Sequence, residues 1–395
     1  MNTLRRSLLS ACAVLLCGFG GAAVAAASAA PPAFTPPPPT PNDTLRSPVV
    51  GTDGQVTFSL YAPRATRVSI EGEWLPFRES RALQPDARGV WSATLPVPPG
   101  TFRYTFNADG AITLDSRNPE VSASFTQVRS VVHVDAAPPT LEDVRDVPHG
   151  AISTVHYRSA SLGQMRRMHV YTPPGYERGS ARYPVLYLLH GGGDSDDSWT
   201  SVGRAGVILD NLIAAGQARP MLVVMPAGHV AGDGSIAGAR SAMGADAAAD
   251  PFTGDFLGSV IPVIEDRYRV SKRPEDRALA GLSMGGLQTA NIGLTHSDQF
   301  HWIGIFSSGW FDDVRPEVER RHGADLDRAA QQLSLLWVGW GQTDIARANS
   351  LAMLKLFDQH GLRYRQLETP GGHTWENWRH YLGEFVPLLF QRASR

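Results

Sequence analysis

Three residues far apart in the chain have the types and settings for covalent acyl chemistry. Ser283 lies in Gly281-Leu282-Ser283-Met284-Gly285, between the apolar run 278–282 and a helix-forming stretch. A glycine on each side of the serine suits a sharp strand-to-helix turn that holds the hydroxyl out above a sheet edge. A serine alone is a poor nucleophile. It needs a base within hydrogen-bond reach and a third group to orient that base. His373 lies on the Gly-rich loop Thr369-Pro370-Gly371-Gly372-His373-Thr374 after the last expected strand, whereas His360 and His380 fall on helices. Asp344 closes the loop Trp340-Gly341-Gln342-Thr343-Asp344 after another strand, with Asp312 and Asp313 as runners-up and a helix-capping role as the bland alternative. An acyl-transfer site also needs two N–H groups aimed at the developing oxyanion. Met284 supplies one by following the serine, and His190-Gly191-Gly192-Gly193 offers the other, with the Gly192 N–H the candidate.

These groups must be carried by elements, and the apolar pattern supplies them. Strands are expected at 155–159, 168–172, 184–189, 221–225, 277–282, 302–306, 335–339 and 364–368, the first two antiparallel to their neighbours. Helices are expected at 202–215, 252–268 (despite Pro262), 345–359 and 375–391. Such alternation implies a doubly wound, mostly parallel sheet with helices on both faces. Residues 47–135 differ. Short alternating runs at 56–61, 68–70, 91–95, 102–106 and 131–134, separated by Gly/Pro/Asp turns, imply a small all-β sandwich. The expected division is 31–46 as a Pro-rich tether, 47–135 as the sandwich, 136–150 as a linker and 151–395 as the α/β domain.

The sandwich resembles the immunoglobulin-like N-terminal modules of glycogen-branching and debranching enzymes, grouped with the family-48 carbohydrate-binding modules. The resemblance rests on Glu71-Gly72-Glu73-Trp74, Gly89-Val90-Trp91, Gly100 through Phe106 and Asp115 through Pro119. Trp74 and Trp91 are candidates either for stacking on sugar rings or for core packing. From about residue 150 the chain resembles the esterase D-type α/β-hydrolases, specifically the feruloyl and acetyl-xylan esterases of carbohydrate esterase family 1. The matching pieces run in family order: Tyr187 to Gly193, Val224-Met225-Pro226, Ile261 to Glu265, Ala280 to Gly286, Gly339 to Asp344 and Thr369 to Trp375.

That resemblance implies an α/β-hydrolase fold, a Ser283–His373–Asp344 triad with Gly192 and Met284 as oxyanion hole, and no cofactor. It also implies a plant cell-wall polysaccharide, feruloylated or acetylated xylan, as partner. The expected activity is feruloyl esterase. Acetyl-xylan esterase, an esterase for siderophore trilactones, and a polysaccharide-binding protein with an inactive hydrolase domain stay open beside it. Trp199, Gln288, Trp310, Phe311 and Trp375 are the candidate substrate contacts, as flat or polar groups near the sheet edge. The chain departs from the family after Pro226, where Ala227-Gly228-His229-Val230 leads into a Gly/Ala-rich stretch to Ala249.

Composition narrows the remaining classes. A formal net charge of −2 with no basic block excludes a nucleic-acid partner. Arg5-Arg6, the apolar stretch 8–19 and the A-x-A sites near 23–29 read as a secretory signal over residues 1–30, so a secreted or periplasmic location is expected. Both cysteines, Cys12 and Cys17, fall inside it, so the remainder must be stabilised by its core. No later run is apolar enough to span a membrane. No His/Cys cluster has metal-ligand spacing, so no metal is expected.

Overall fold

The computed structural model describes residues 37–230 and 250–391; the signal segment and most of the 227–250 stretch lie outside them. Two small antiparallel sheets come first. One has the order β1 (Val49–Val50), β2 (Gln55–Tyr61), β6 (Val90–Pro96), β5 (Gln84–Pro85). The other runs β4 (Arg81–Ala82), β3 (Val68–Gly72), β7 (Gly100–Ala108), β10 (Val128–Val134), β9 (Val121–Ala123), with β8 (Ala111–Thr113) pairing on β7. Their inner faces close a core of Val56, Phe58, Ile70, Phe102, Tyr104, Phe106 and Val132. Trp74 stacks on Phe58 at 5.3 Å, and Trp91 is buried with its indole N–H bonded to Ala62 O. Packing therefore occupies both tryptophans.

Strand β7 carries the more consequential pattern. Its side chains alternate, as a strand requires. Phe102, Tyr104 and Phe106 enter the sandwich core, while Thr101, Arg103 and Thr105 point to the opposite face and are also buried. That outer face is covered by the α/β domain. The segment 136–150 joins the same contact. Asn211 donates to the carbonyls of Leu141 and Asp143, and Arg379 Nη1 donates to Thr101 O and Val202 O.

The large sheet has eight strands in the order β11 (Ala151–Arg158), β12 (Met165–Thr172), β14 (Leu222–Pro226), β13 (Val185–Leu189), β15 (Arg277–Leu282), β16 (Trp302–Phe306), β17 (Leu335–Gly341), β18 (Arg365–Thr369). The β11–β12 and β12–β14 pairs are antiparallel and the rest parallel. The central strands are buried on both faces. Leu186 and Leu188 pack toward α1 (Ala205–Ala214) and the C-terminal helix, while Tyr187 and Leu189 pack toward the others. Those others are α2 (Pro251–Asp255), α3 (Ile261–Arg267), α4 (Met284–Thr295), α5 (Arg315–Gln332) and α6 (Arg347–Gln359); the C-terminal helix is α7 (Trp375–Phe385). A π-turn over Phe256–Val260 joins α2 to α3. It lies just before Pro262, where an α-helical carbonyl would meet the proline ring. Helix α5 has no counterpart among the expected helices. Only Val318, Leu326 and Ala329 are buried on it, too sparse an apolar stripe to stand out from its charges. None of the described helices is long and apolar enough to cross a membrane.

Candidate active site

Strand β15 ends against α4 with almost no space between. A Cβ on Gly281 would meet Gly285 O at 2.4 Å, and one on Gly285 would meet His190 O at 2.5 Å. Ser283 sits in the turn at φ 52°, ψ −116°, a conformation that costs an L-residue on the order of 1–3 kcal/mol. Neighbouring strands hold it there. Ser283 N donates to Phe306 O at 2.9 Å, and Ser308 Oγ donates to Ser283 O at 2.7 Å.

The loops carrying the other two residues are tied together. Gln342 N donates to Thr369 O, Thr343 N to Gly371 O, and Asn377 Nδ2 to Gly372 O. His373 Nε2 lies 2.9 Å from Ser283 Oγ, and His373 Nδ1 lies 2.8 Å from Asp344 Oδ1. An ionised carboxylate only accepts, so Nδ1 carries the proton and Nε2 of the neutral ring accepts from the serine. Trp378 supports the imidazole edge-to-face at 5.0 Å and donates its indole N–H to Ser307 Oγ. The Asp344 side chain is fully buried. Burial alone would raise its pKa. The bond and charge of His373, helped by Ser307 and the Ala346 N–H, outweigh this and hold it below the usual carboxylate range. The expected capping alternative is not met, since the N-cap of α6 is Ala346 with no side-chain cap; Asp344 Oδ1 instead accepts from Ala346 N at 2.8 Å, in the turn before the helix. One carboxylate starts the turn into α6 and orients the histidine.

Gly192 and Met284 flank the serine. Among the described residues, neither backbone N–H has an intramolecular partner. A Cβ on Gly192 would touch only Met284 Cβ, at 3.8 Å. The loop is set by Gly285 N donating to His190 O, by His190 Nδ1 donating to Gly191 O, and by Gly228 N donating to His190 Nε2.

A cleft of about 710 Å³ opens over Ser283 and His373. One wall is the loop 191–194 with Trp375 and Trp378. The other comes from the sandwich and includes Glu73, Phe77, Arg103, Thr105, Gln127 and Arg129. Of the five expected substrate contacts, Trp375 lines this cleft, and four need correction. Trp199 is 1% exposed, with its indole N–H on Leu189 O and its ring edge-on to Trp375. Trp310 is equally buried on the opposite face, bonded to Asn291 Oδ1 and packed on Phe357. Phe311 packs against that same core. Gln288 is buried and donates to Gly228 O, so it anchors the segment after β14 and does not face the cleft.

The sandwich residues of the second wall were not expected, because nothing in their local sequence points toward Ser283. A group of potential metal-ligating side chains was also not expected: His133, Asp135 and Asp143 have ligand atoms within 4.8 Å of one another. Its atoms already serve as a latch. His133 Nδ1 meets Thr101 Oγ1, His133 Nε2 meets Asp143 Oδ1, and Asp143 Oδ2 accepts from Thr140.

The eight-stranded sheet with Ser283 at a strained strand-to-helix elbow defines a fold of the α/β-hydrolase type. Residues 159–389 match the family model named Esterase. The chain belongs to that family. Residues 56–140 are similar to the model described as the glycogen recognition site of AMP-activated protein kinase. The chain is 34% identical over 359 residues to an endo-1,4-beta-xylanase/feruloyl esterase of Xylanibacter ruminicola, a match covering 87% of this chain and 46% of that protein. It is 24% identical over 250 residues to endo-1,4-beta-xylanase Y of Acetivibrio thermocellus, covering 57% of this chain and 22% of that protein. The chain thus spans less than half the length of either relative. Among solved structures, a ferulic acid esterase is similar at 25% identity and TM-score 0.52, over 60% of this chain and 97% of that one. The enterobactin esterase of Shigella flexneri shares the fold at 16% identity and TM-score 0.58, over 84% of this chain and 92% of that one.

Proposed function

We propose that the chain is an exported serine esterase that removes feruloyl groups from arabinoxylan. The observation that carries the mechanism is the hydrogen-bond chain Ser283 Oγ–His373 Nε2 and His373 Nδ1–Asp344 Oδ1, at 2.9 and 2.8 Å, on a strained elbow. His373 takes the hydroxyl proton as Ser283 Oγ attacks the ester carbonyl. The Gly192 and Met284 N–H groups receive the oxyanion. The sugar alcohol leaves with the proton from His373, and water, deprotonated by the same imidazole, cleaves the acyl-enzyme. Asp344 keeps the histidine in the right tautomer and stabilises its cation.

The acyl and alcohol halves are supported differently. The feruloyl esterase named among the relatives and the ferulic acid esterase fold support the acyl group. The cleft supports a neutral sugar. Apart from the Arg103–Asp194 pair, Glu71, Glu73, Glu79 and Glu376 face Arg78 and Arg129, so carboxylates outnumber cations. That balance suits hydroxyl recognition and disfavours an anionic catecholate trilactone. Export is supported by the basic, apolar and Ala-rich order of residues 1–30.

The test is release of ferulate from methyl ferulate and feruloylated arabinoxylan, with acetate release from acetylated xylan in parallel and Ser283→Ala as blank. Ser283-dependent ferulate release is the expected result. Acetate alone would reassign the acyl group, and wild-type turnover by Ser283→Ala would overturn the mechanism.

A further inference from the structure

We propose that the sandwich module is a working part of the hydrolytic site: Arg103, on its strand β7, positions the loop that carries the oxyanion-binding N–H of Gly192. The inference rests on the ester-hydrolysis reading above and deepens it.

The loop Gly191-Gly192-Gly193 has no side chains of its own to fix it, and glycine backbone is the most costly to order. An oxyanion hole works only if its donors are already in place when the charge develops. The α/β domain secures the first half of this loop, through Gly285 and His190. The second half is secured by the sandwich. Phe125 N donates to Gly193 O at 3.2 Å. Arg103 Nη1 meets Asp194 Oδ1 at 2.8 Å, and Asp194 N closes the turn on Gly191 O at 3.1 Å. Arg103 continues past Asp194, with Nη2 donating to Ser198 Oγ at 2.8 Å and Nε to Ser122 Oγ at 2.9 Å. Strand β9 reinforces the same stretch, since Ser195 and Ser198 both donate to Ala123 O, and Ala123 N donates to Asp197 Oδ2.

Arg103 is 2% exposed and Asp194 6%. A buried cation and anion stay buried only when each satisfies the other. Removing the guanidinium leaves the Asp194 carboxylate against the loop without its partner. The cheapest relief is for the turn 191–194 to swing toward water, taking the Gly192 N–H with it. Packing at Gly193 does not resist, because a Cβ there would meet nothing within 4 Å, and the bond from Phe125 N to Gly193 O is the tie left on that side. Only the oxyanion contact made in the transition state is lost, so kcat should fall while KM for a small ester holds.

The test compares wild type, Arg103→Ala, Arg103→Lys and Asp194→Asn on p-nitrophenyl acetate. Each is also assayed for the rate of Ser283 modification by a fluorophosphonate and for melting temperature. Arg103→Ala is expected to lose about 10- to 100-fold in kcat with KM within about threefold. Fluorophosphonate inactivation should slow in proportion, since its transition state uses the same N–H groups. Arg103→Lys, which keeps the charge on Asp194, should recover most of the loss. If Arg103→Ala does not stay folded at assay temperature, Asp194→Asn decides by the same kcat and KM reading. Wild-type kcat in a folded Arg103→Ala or Asp194→Asn protein overturns the proposal. So does a rise in KM at constant kcat, which would make Arg103 a substrate contact. A wild-type protein that hydrolyses no ester would instead defeat the functional reading beneath it.

Discussion

Gly285→Ala isolates the link between the elbow and the oxyanion loop. Gly285 lies in the first turn of α4 with ordinary helical geometry, so alanine is not strained there and gains up to ~1 kcal/mol in helix propensity. The obstacle is outside the helix. The new methyl would sit 2.5 Å from His190 O, 2.7 Å from Leu189 Cβ and 2.8 Å from Leu189 C. Two of these three are backbone atoms and cannot rotate away. Restoring a 3.4 Å contact to the carbonyl needs a displacement of about 0.9 Å, the difference between 3.4 and 2.5 Å. It falls on the residue whose carbonyl accepts from Gly285 N and which immediately precedes Gly191 and Gly192. Misplacing a catalytic group by about 1 Å costs on the order of 10²-fold, and losing one oxyanion donor costs about 10²- to 10³-fold. We expect kcat on p-nitrophenyl acetate to fall about 10²-fold with KM nearly constant. Stability should fall by about 1–3 kcal/mol from overpacking, partly offset by the helix gain. Stopped assays with an active-site titrant would count competent sites. A protein that titrates fully, melts within a few degrees of wild type and keeps wild-type kcat would show that the loop is not held by this contact.

Three further outcomes follow from the same geometry. Ser283→Gly removes a side chain from φ 52° and should raise stability by about 1 kcal/mol in urea denaturation while abolishing turnover; a destabilised variant would mean the elbow stores no strain. Asp344→Asn should lower kcat by about 10⁴-fold at unchanged fold, because the amide cannot enforce the required His373 tautomer, and activity within tenfold of wild type would exclude that role. His229 is pushed down to about 4, first by burial and then by neighbouring His190, so the unfolded chain protonates before the folded one and stability is lost as pH falls below about 6.5. The loss between pH 7 and 5 is about 2 kcal/mol, nearer 1 after solvent screening of a half-buried ring, and His229→Asn should lack it. Asp250, raised to about 6 by burial, acts in the opposite sense, so the readout is the difference between the two proteins' urea midpoints at each pH.

The parts of the site that could be read from sequence are those fixed locally. A strand, a Gly-flanked serine and a helix specify an elbow within a dozen residues, and each later loop carries its histidine or aspartate between a strand and a helix. What the sequence did not reveal depends on direction and distance. Trp199 and Trp310 follow strand ends, as cleft residues do, but position at a sheet edge does not say which way an indole turns. Trp199 folds back so that its N–H reaches Leu189 O, and Trp310 finds Asn291, so each satisfies its polar atom inside a core. A large aromatic with a buried partner for its N–H belongs to packing, whatever loop it starts from. Helix α5 escaped for the converse reason, having too few buried residues to mark a face.

The sandwich is the deeper case. Its residues Thr101, Arg103 and Thr105 alternate with aromatics in the way that usually marks a solvent face, and Arg103 meets Asp194 across 91 positions of sequence. An arginine on an outer strand face, flanked by threonines, reads as surface until another domain covers it. Once covered, its charge must be answered, and the answering carboxylate lies two residues from the proposed oxyanion donor. The module that resembles a carbohydrate-binding domain therefore has its candidate sugar-stacking tryptophans committed to its own architecture, and its least conspicuous face turned to the chemistry. This arrangement explains why the cleft has two walls from distant parts of the chain. A deletion of residues 47–135 would expose the Asp194 turn as well as remove one wall of the cleft. Its activity loss should therefore appear on the smallest ester too, and not only on polysaccharide.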